Sequence, residues 1–204
     1  MRAMSVERST YSKPERGEMT TAQLRNGVNT EGLFGALDAV KAQPEAAKFQ
    51  FRARNEWISG THSRSTIHDF FGLGSEQTHL EEHTYEADHP TQLVAMDNAP
   101  TPAEQLLHAL AACITAGVGN VAAARGIELT RVESIVTGDI DLVGLLGIDT
   151  SVRNGYQSIA VELTIEGDAS AEALKGVVDR SVARSAVFDM LTNGTTVSVD
   201  VTTR

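Results

Sequence analysis

The stretch Thr101-Pro-Ala-Glu-Gln-Leu-Leu-His-Ala-Leu-Ala-Ala-Cys113 opens the segment that decides the fold of this 204-residue chain. Thr101 is a natural N-cap, Pro102 suits the first helical position, and Glu104 lies three residues after the cap, as in a capping box. From position 103 to position 124 the residues are mainly Ala, Leu, Val and Gly. Because a helix that is apolar almost all round is usually a buried one, this pattern predicts a central, buried helix.

The segments on both sides of this helix alternate between strand-like and helix-like patterns. The sequence predicts a helix from Asn29 to Pro44 and then three strands, of which the first spans Phe49 to Trp57 and the third, polar enough for a sheet edge, lies over residues 78–86. After the central helix come two strands over residues 127–142 and 159–165, a loop over residues 142–152 between them, two helices over residues 168–191, and a final strand over residues 196–201. This order is typical of an α+β domain.

The N-terminal residues differ in character from the rest of the chain. Residues 1–28 are predicted to form a disordered leader, because the first 19 are polar and charged and lack the apolar stretch of a secretory signal. Residues 29–46 are predicted to be a helical extension, and residues 47–204 the main domain. No stretch approaches about 20 uninterrupted apolar residues, so no membrane span is expected. A cytoplasmic, reducing compartment is the default expectation.

Charge and cysteine content exclude several classes of function. The chain has 17 Lys and Arg against 27 Asp and Glu, a net charge of -10, which argues against a nucleic-acid partner. The single cysteine, Cys113, excludes an internal disulfide and a Cys-x-x-Cys redox motif. Composition leaves two interpretations of Cys113, a packed apolar residue or a reactive thiol, since burial alone suppresses the thiolate.

The histidines raise the question of a metal site, because five of the six lie between His62 and His89. His79 and His83 could hold one ion if they were a helical turn apart. The segment has the pattern of a strand, however, and in an extended strand the two residues would lie about 13 Å apart. We therefore expect neither a metal nor another cofactor, and a metal-binding protein is the weakest of the functional alternatives.

A set of motifs is distributed over the main domain: Asp88-His-Pro90, the stretch from Ala99 to Cys113, Ala122-Ala-Ala-Arg-Gly-Ile127, Gly138-Asp-Ile-Asp141, Arg153-Asn-Gly-Tyr156 and Arg184-Ser-Ala-Val-Phe-Asp189. Together they resemble the OsmC/Ohr family, the osmotically induced and organic hydroperoxide resistance proteins. The resemblance implies antiparallel sheets wrapped around long central hydrophobic helices, in an intertwined homodimer with active sites at its interface. It also implies a stress-response oxidoreductase of the peroxiredoxin type, which reduces organic and hydrogen peroxides with thiols.

The resemblance assigns catalytic roles to Cys113 and Arg64. Cys113 matches the peroxidatic cysteine, whose thiolate would attack the peroxide O–O bond and become a sulfenic acid. Arg64, just past the turn at Ser59, is the nearest match to the family's catalytic arginine, and a guanidinium close to the thiol would lower the thiol pKa. Two further arginines, Arg52 and Arg54, are predicted on the outer face of the preceding strand.

Two features of the family pattern are missing from this sequence. Ser185 or Ala186 occupies the place of the resolving cysteine, and Ala103 the place of a glutamate that the family's peroxidases share. Glu104 is predicted to be a capping residue first, with a role in the site as the lesser alternative. A hydroxyl cannot resolve a sulfenic acid, so turnover would need an external thiol reductant. The alternative is a non-catalytic dimer of the same fold that binds a small lipophilic ligand at its interface.

Overall fold

The central helix forms as its sequence predicts. In the computed structural model, which describes residues 24–204, helix α2 spans Pro102–Ala124. The Thr101 hydroxyl accepts a hydrogen bond from the backbone N–H of Glu104, and the Glu104 carboxylate accepts one from the backbone N–H of Thr101, which completes the capping box. The chain leaves the helix at Gly126, whose φ of 76° is a conformation that glycine adopts at little cost.

The hydrophobic core lies between α2, a two-stranded antiparallel sheet and a further helix. The sheet consists of β7 (Leu129–Asp139) and β8 (Ser158–Gly167), and the helix is α4 (Ala171–Val182). The buried apolar residues form one stripe on α2, with additions from the following loop and from α4: Leu110, Ile114, Val118, Ala122, Ile127, Leu174 and Val177. The stripe follows the spacing of three and four residues that places side chains on one helix face.

Helix α4 approaches α2 closely at Gly117. A Cβ at this position would lie 3.1 Å from the Cβ of Ser181, which is tighter than an ordinary contact. Ser181 is itself buried, and its hydroxyl donates a hydrogen bond of 2.8 Å to the carbonyl oxygen of Val177. The glycine therefore sets the distance between the two helices, and with it the position of the chain that follows α4.

A second, four-stranded sheet precedes α2. Its strands are β3 (Gln50–Phe51), β4 (Arg54–Ser59), β5 (His62–Gly72) and β6 (Ser75–Ala87), and β5 pairs antiparallel with the other three. The prediction of one continuous first strand is wrong, because the pairing with β5 shifts by one residue between the β3 and β4 segments. The prediction that the third strand lies at a sheet edge is confirmed, since among the described strands β6 pairs only with β5.

Strand β6 contains a bulge opposite His68. Ile67 pairs with His83 and Asp69 pairs with Thr78, so four residues of β6 stand opposite a single residue of β5. The bulge brings the His79 and His83 rings to a centroid distance of 5.4 Å. The expected separation of about 13 Å is wrong, because the strand is not extended here. Within residues 24–204, no three His, Cys, Asp or Glu side chains are grouped so that they could hold a metal ion.

A short hairpin attaches the N-terminal extension to the core. β1 (Leu24–Arg25) pairs with β2 (Val28–Asn29), and the Asn26 side chain in the turn bonds the Ile127 carbonyl oxygen at 2.8 Å and the Leu129 N–H at 2.9 Å. The Asn26 amide satisfies backbone groups beside the end of α2, so residues 24–28 are structured. Their assignment to the disordered leader is wrong. The rest of the predicted leader lies outside the described residues.

The predicted helix of the extension is confirmed. Helix α1 spans Thr30–Ala42, and the side chain of its N-cap, Asn29, accepts a hydrogen bond of 2.9 Å from the backbone N–H of Gly32. A 3₁₀ turn follows at Pro44–Ala47. In the part of the chain that the structure describes, none of the α1 residues is buried.

The C-terminal part of the chain follows the prediction up to its last element. A short helix α3 (Leu142–Leu145) lies in the predicted loop, and α5 (Ala186–Asn193) is the predicted second helix after β8. The predicted final strand over residues 196–201 is wrong, because no strand within residues 24–204 pairs with it. Its alternating valines are largely exposed, at 80%, 82% and 81% for Val197, Val199 and Val201.

Residues 24–204 of one chain cover helix α2 on only one side. Five of its residues are buried, while Leu106 on a neighbouring face is exposed. The prediction of a helix buried all round is therefore wrong for the isolated chain. By length and composition α2 is also apolar enough to cross a membrane, a test that the core helices of soluble proteins pass as well.

Candidate functional site

Cys113 lies on α2 beside the N-terminus of α5. Its Sγ accepts a hydrogen bond of 3.1 Å from the hydroxyl of Ser185, the N-cap residue of α5. The Ser185 oxygen in turn accepts a hydrogen bond of 3.2 Å from the backbone N–H of Phe188. Because the hydroxyl has a single proton and the cap uses one of its lone pairs, that proton is free to point at the sulfur.

The surroundings of Cys113 lower the pKa of its thiol. Partial burial has the largest single influence and raises the pKa, but hydrogen bonds from the Ser185 hydroxyl and from the backbone N–H groups of Val187 and Ala186 together outweigh it. These two N–H groups are the first in α5, where the helix leaves donors unpaired and its dipole favours a negative charge. The arrangement favours a reactive thiolate over a purely packed cysteine.

The donor role of Ser185 was not predicted from the sequence, which identified this position only as the place of a missing cysteine. A serine directly before a helical segment is, however, a typical N-cap. That signal was available in Ser185-Ala-Val-Phe188, but nothing in the sequence indicated that the cap would lie beside Cys113, 72 residues earlier.

Arg64, the second predicted catalytic residue, is paired elsewhere. Its Nη2 and Nε bond Glu86 Oε1 at 2.6 Å and 2.9 Å, and this contact raises the pKa of Arg64 and lowers that of Glu86. His62 Nε2 lies 2.9 Å from the other oxygen of the same carboxylate. No hydrogen bond or ion pair within residues 24–204 joins Arg64 to Cys113, so a single chain does not bring the two predicted catalytic residues together.

The other two arginines form a cluster with acidic residues on the sheet. Arg54 and Arg52 both donate to the Asp69 carboxylate, which holds the pKa of that carboxyl well below its usual range. Arg52 also donates to both carboxylate oxygens of Glu76, at 2.6 Å and 2.8 Å. These contacts connect three strands of the sheet, and none of them involves the thiol.

The capping role predicted for Glu104 is confirmed. Its carboxylate accepts hydrogen bonds from the backbone N–H of Thr101 at 2.7 Å and from the Thr101 hydroxyl at 2.9 Å. These two contacts lower the Glu104 pKa, the backbone bond more than the hydroxyl. The carboxylate is therefore held at the start of α2, nine residues before the thiol.

Two cavities flank the N-terminal half of α2. One, of about 540 Å³, lies between α2, β8 and α5, and Leu106 is among its lining residues. The other, of about 990 Å³, lies between α2 and the four-stranded sheet, and Ala109 is among its lining residues. Cys113 follows these residues by seven and four positions, which puts it on nearly the same helix face. Both cavities therefore lie along the side of α2 that carries the thiol.

Comparison with known proteins supports the fold and the motif together. The family model for OsmC-like proteins matches residues 95–200, the part that contains α2, the thiol and its helix cap. The chain belongs to the OsmC-like family. A search of curated protein sequences gives no significant match to this OsmC-like protein.

Solved structures of other OsmC-like proteins share its fold. An OsmC-like protein from Mycoplasma pneumoniae superposes with a TM-score of 0.53 and 19% identity, over 75% of this chain and 96% of that one. An OsmC-like protein of unknown function from Vibrio cholerae gives a TM-score of 0.51 and 9% identity, over 70% and 94%. The predicted α+β class with antiparallel sheets is confirmed, and about a quarter of the present chain has no counterpart in the Mycoplasma structure.

Proposed function

We propose that this OsmC-like protein reduces hydroperoxides through Cys113, with an external thiol as the reductant. The observation that carries the proposal is the set of hydrogen-bond donors on the sulfur, namely the Ser185 hydroxyl and the N-terminal amides of α5. A thiolate is the nucleophile in such chemistry, and this environment stabilises it.

The proposed reaction has two stages. In the first, the Cys113 thiolate attacks one peroxide oxygen, an S–O bond forms, the O–O bond breaks, and the leaving oxygen takes a proton from solvent to become an alcohol or water. In the second, an external thiol attacks the sulfenic acid and releases water, and another thiol reduces the mixed disulfide. An internal resolving step is absent because Cys113 is the only cysteine of the sequence.

A homodimer is part of the proposal, because the single chain leaves large apolar surfaces uncovered. The core has no residue from the four-stranded sheet, and Phe51 and Trp57 on that sheet are 71% and 74% exposed. A small sheet needs packing on at least one face to be stable. A second copy of the chain that lies on this sheet and on the open side of α2 would supply the missing packing. This is the wrapped arrangement that the family resemblance implies.

The dimer would also give Arg64 a role. We propose that Arg64 acts across the interface, near the Cys113 thiol of the partner subunit, since within one chain it has no contact with the thiol. Sedimentation equilibrium should then give about twice the chain mass of 21.8 kDa at micromolar concentration. A monomer would contradict both the interface and the assignment of Arg64. We place the reaction in the cytoplasm, where thiol reductants are maintained.

The second candidate is the non-catalytic dimer that binds a small lipophilic ligand at its interface. It is favoured by the pairing of Arg64 with Glu86 and by Ala103 at the position of the family glutamate. Both leave the thiol without a charged partner among residues 24–204. The two candidates differ in the expected state of the thiol. A lowered pKa supports catalysis, whereas an ordinary or raised pKa supports the binding protein.

The pH dependence of Cys113 alkylation tests the proposal directly. Because the pKa of the folded thiol is lowered, the rate should reach half its plateau below the value of about 8.5 for a free cysteine, and it should fall as the pH drops through that midpoint. Ser185→Ala removes one donor, so the midpoint should rise by about one pH unit, equivalent to about 1.4 kcal/mol of lost thiolate stabilisation.

Ser170→Ala is the matched control, because Ser170 caps α4 through Ala173 and its hydroxyl has no bond to the sulfur. Both variants lose a helix cap, so only the effect on the thiol should distinguish them. A wild-type midpoint at or above 8.5 would rule against a catalytic thiol.

A further inference from the structure

We propose that His79 and His83 on β6 bind one divalent transition-metal ion of the zinc, nickel and copper group. One nitrogen from each imidazole would hold the ion, and water would complete its coordination. The inference goes beyond the proposed peroxide reduction, because the two histidines lie on the four-stranded sheet, whereas Cys113 lies on α2. The sequence argued against a metal here because an extended strand would separate the two side chains, and the bulge in β6 removes that objection.

The distance between the two rings suits a shared ion. Their centroids lie 5.4 Å apart, with an interplanar angle of 70°. An imidazole nitrogen binds zinc at about 2.1 Å, so two imidazoles at the tetrahedral angle on one ion have their centroids about 5 Å apart. The bulge therefore already provides the ring separation that a two-histidine site requires.

The ring nitrogens of both histidines are available to a metal. In the part of the chain that the structure describes, neither ring forms a hydrogen bond or an ion pair, and the rings contact only each other and, for His79, the Phe70 ring at 5.1 Å. His83 is exposed and His79 is half-buried, so an ion can reach the pair from solvent. The contact with Phe70 restricts His79 before any ion arrives, which lowers the entropy lost on binding.

The bulge around the pair has two further features of a cation site. Bulges often lie beside functional sites, where they change the direction of a side chain. His68 lies opposite the bulged residues, and its Nδ1 is buried without a hydrogen-bond partner among residues 24–204, so the interior of the bulge needs a polar ligand. Glu81 and Glu82, which lie between the two histidines in sequence, add negative charge that attracts a cation.

Titration calorimetry with Zn²⁺, Cu²⁺ and Mg²⁺ tests the site, in the Cys113→Ser background so that the thiol cannot act as a ligand. We expect saturable binding of one Zn²⁺ per chain and tighter binding of Cu²⁺, in the usual order of affinity for nitrogen ligands. Mg²⁺ should not bind, because it prefers oxygen ligands.

His83→Gln and His79→Gln should each weaken Zn²⁺ binding more than about tenfold, because a single imidazole holds the ion poorly. His83 is exposed, so its replacement should leave the fold intact. His108→Gln is the matched control, since it also removes one of the six histidines but lies on α2, and it should change Zn²⁺ binding less than about twofold. Zn²⁺ should raise the Tm of the parent and of His108→Gln, and leave that of His83→Gln unchanged.

The proposal is overturned if Zn²⁺ binding does not saturate, if His83→Gln binds Zn²⁺ as tightly as the parent, or if Mg²⁺ binds as tightly as Zn²⁺. An equal loss of Zn²⁺ binding in His108→Gln and His83→Gln would also overturn it. These outcomes are independent of peroxide reduction, because the binding is measured without peroxide and in a variant that lacks the thiol.

Discussion

Cys113→Ser should reduce the rate of hydroperoxide consumption more than about 10³-fold, to the background of a protein-free reaction. A serine hydroxyl does not ionise near neutral pH, and within residues 24–204 no histidine bonds this position to act as a general base for it. The measurement is the loss of cumene hydroperoxide and of hydrogen peroxide with a monothiol or dithiol reductant in excess. The expected loss is the same for each reductant, because the first stage of the reaction is removed.

Ala112→Ser is the matched control for this variant. It introduces the same side chain into the same turn of α2, but at an exposed position beside the thiol in sequence. Its activity should stay within about twofold of the wild type, and both variants should retain the far-UV circular dichroism of the parent. Full activity in Cys113→Ser would contradict the proposed function and leave the ligand-binding alternative as the better explanation.

The sequence predicted the elements whose causes are local. The capping box at Thr101, the stop at Gly126 and the cap at Asn29 each depend on residues within one helical turn, and all three are present. The hairpin between β4 and β5 is likewise determined by a short turn with Gly60 at a φ of 55°. In these cases the stabilising contact and the sequence signal involve the same residues.

The wrong predictions concern segments whose partners are distant or absent from the single chain. The apolar pattern of α2 indicates burial, but one chain covers only one of its sides. The valine alternation at Val197 to Val201 indicates a strand, but a strand forms only where another strand offers a free edge. The bulge that brings His79 to His83 depends on the register with β5, which no local pattern reports.

The candidate site shows the same contrast between features with local causes and features that depend on distant residues. Cys113 was identified from the motif around it. The electrostatics of the two predicted catalytic residues depend on contacts over longer distances in the sequence. Ser185 lies 72 positions from Cys113, and Glu86 lies 22 positions from Arg64. Helix packing at Gly117 and strand register determine these contacts, and both are properties of the tertiary structure. The residue types were visible in the sequence, but their pairing was not.

Ser185→Cys should convert the proposed one-thiol cycle into a two-thiol cycle. The Ser185 oxygen lies 3.1 Å from Cys113 Sγ, and a disulfide needs about 2.05 Å between the sulfurs, so a local movement of about one ångström suffices. After treatment with one equivalent of peroxide, the introduced thiol should attack the sulfenic acid, with release of water and formation of an intramolecular disulfide. Peptide mapping under non-reducing conditions should recover the two segments as one linked species.

Ser181→Cys provides the matched control, because Ser181 also faces α2 but contacts it at Gly117, one turn beyond the thiol. This variant should give no intramolecular disulfide, and its oxidised Cys113 should remain open to an external thiol. The disulfide in the Ser185 variant would close a loop of about 70 residues and should raise the free energy of unfolding by about 4 kcal/mol over its reduced form, on the chain-entropy estimate. Formation of this disulfide without an external thiol would show that one substitution, at the place of the resolving cysteine, separates this chain from the two-cysteine members that its motifs resemble. A difference in fold would then not be needed to explain the one-thiol cycle. Persistence of a free sulfenic acid in the Ser185 variant would instead mean that the α5 terminus moves away from the sulfur once it is oxidised.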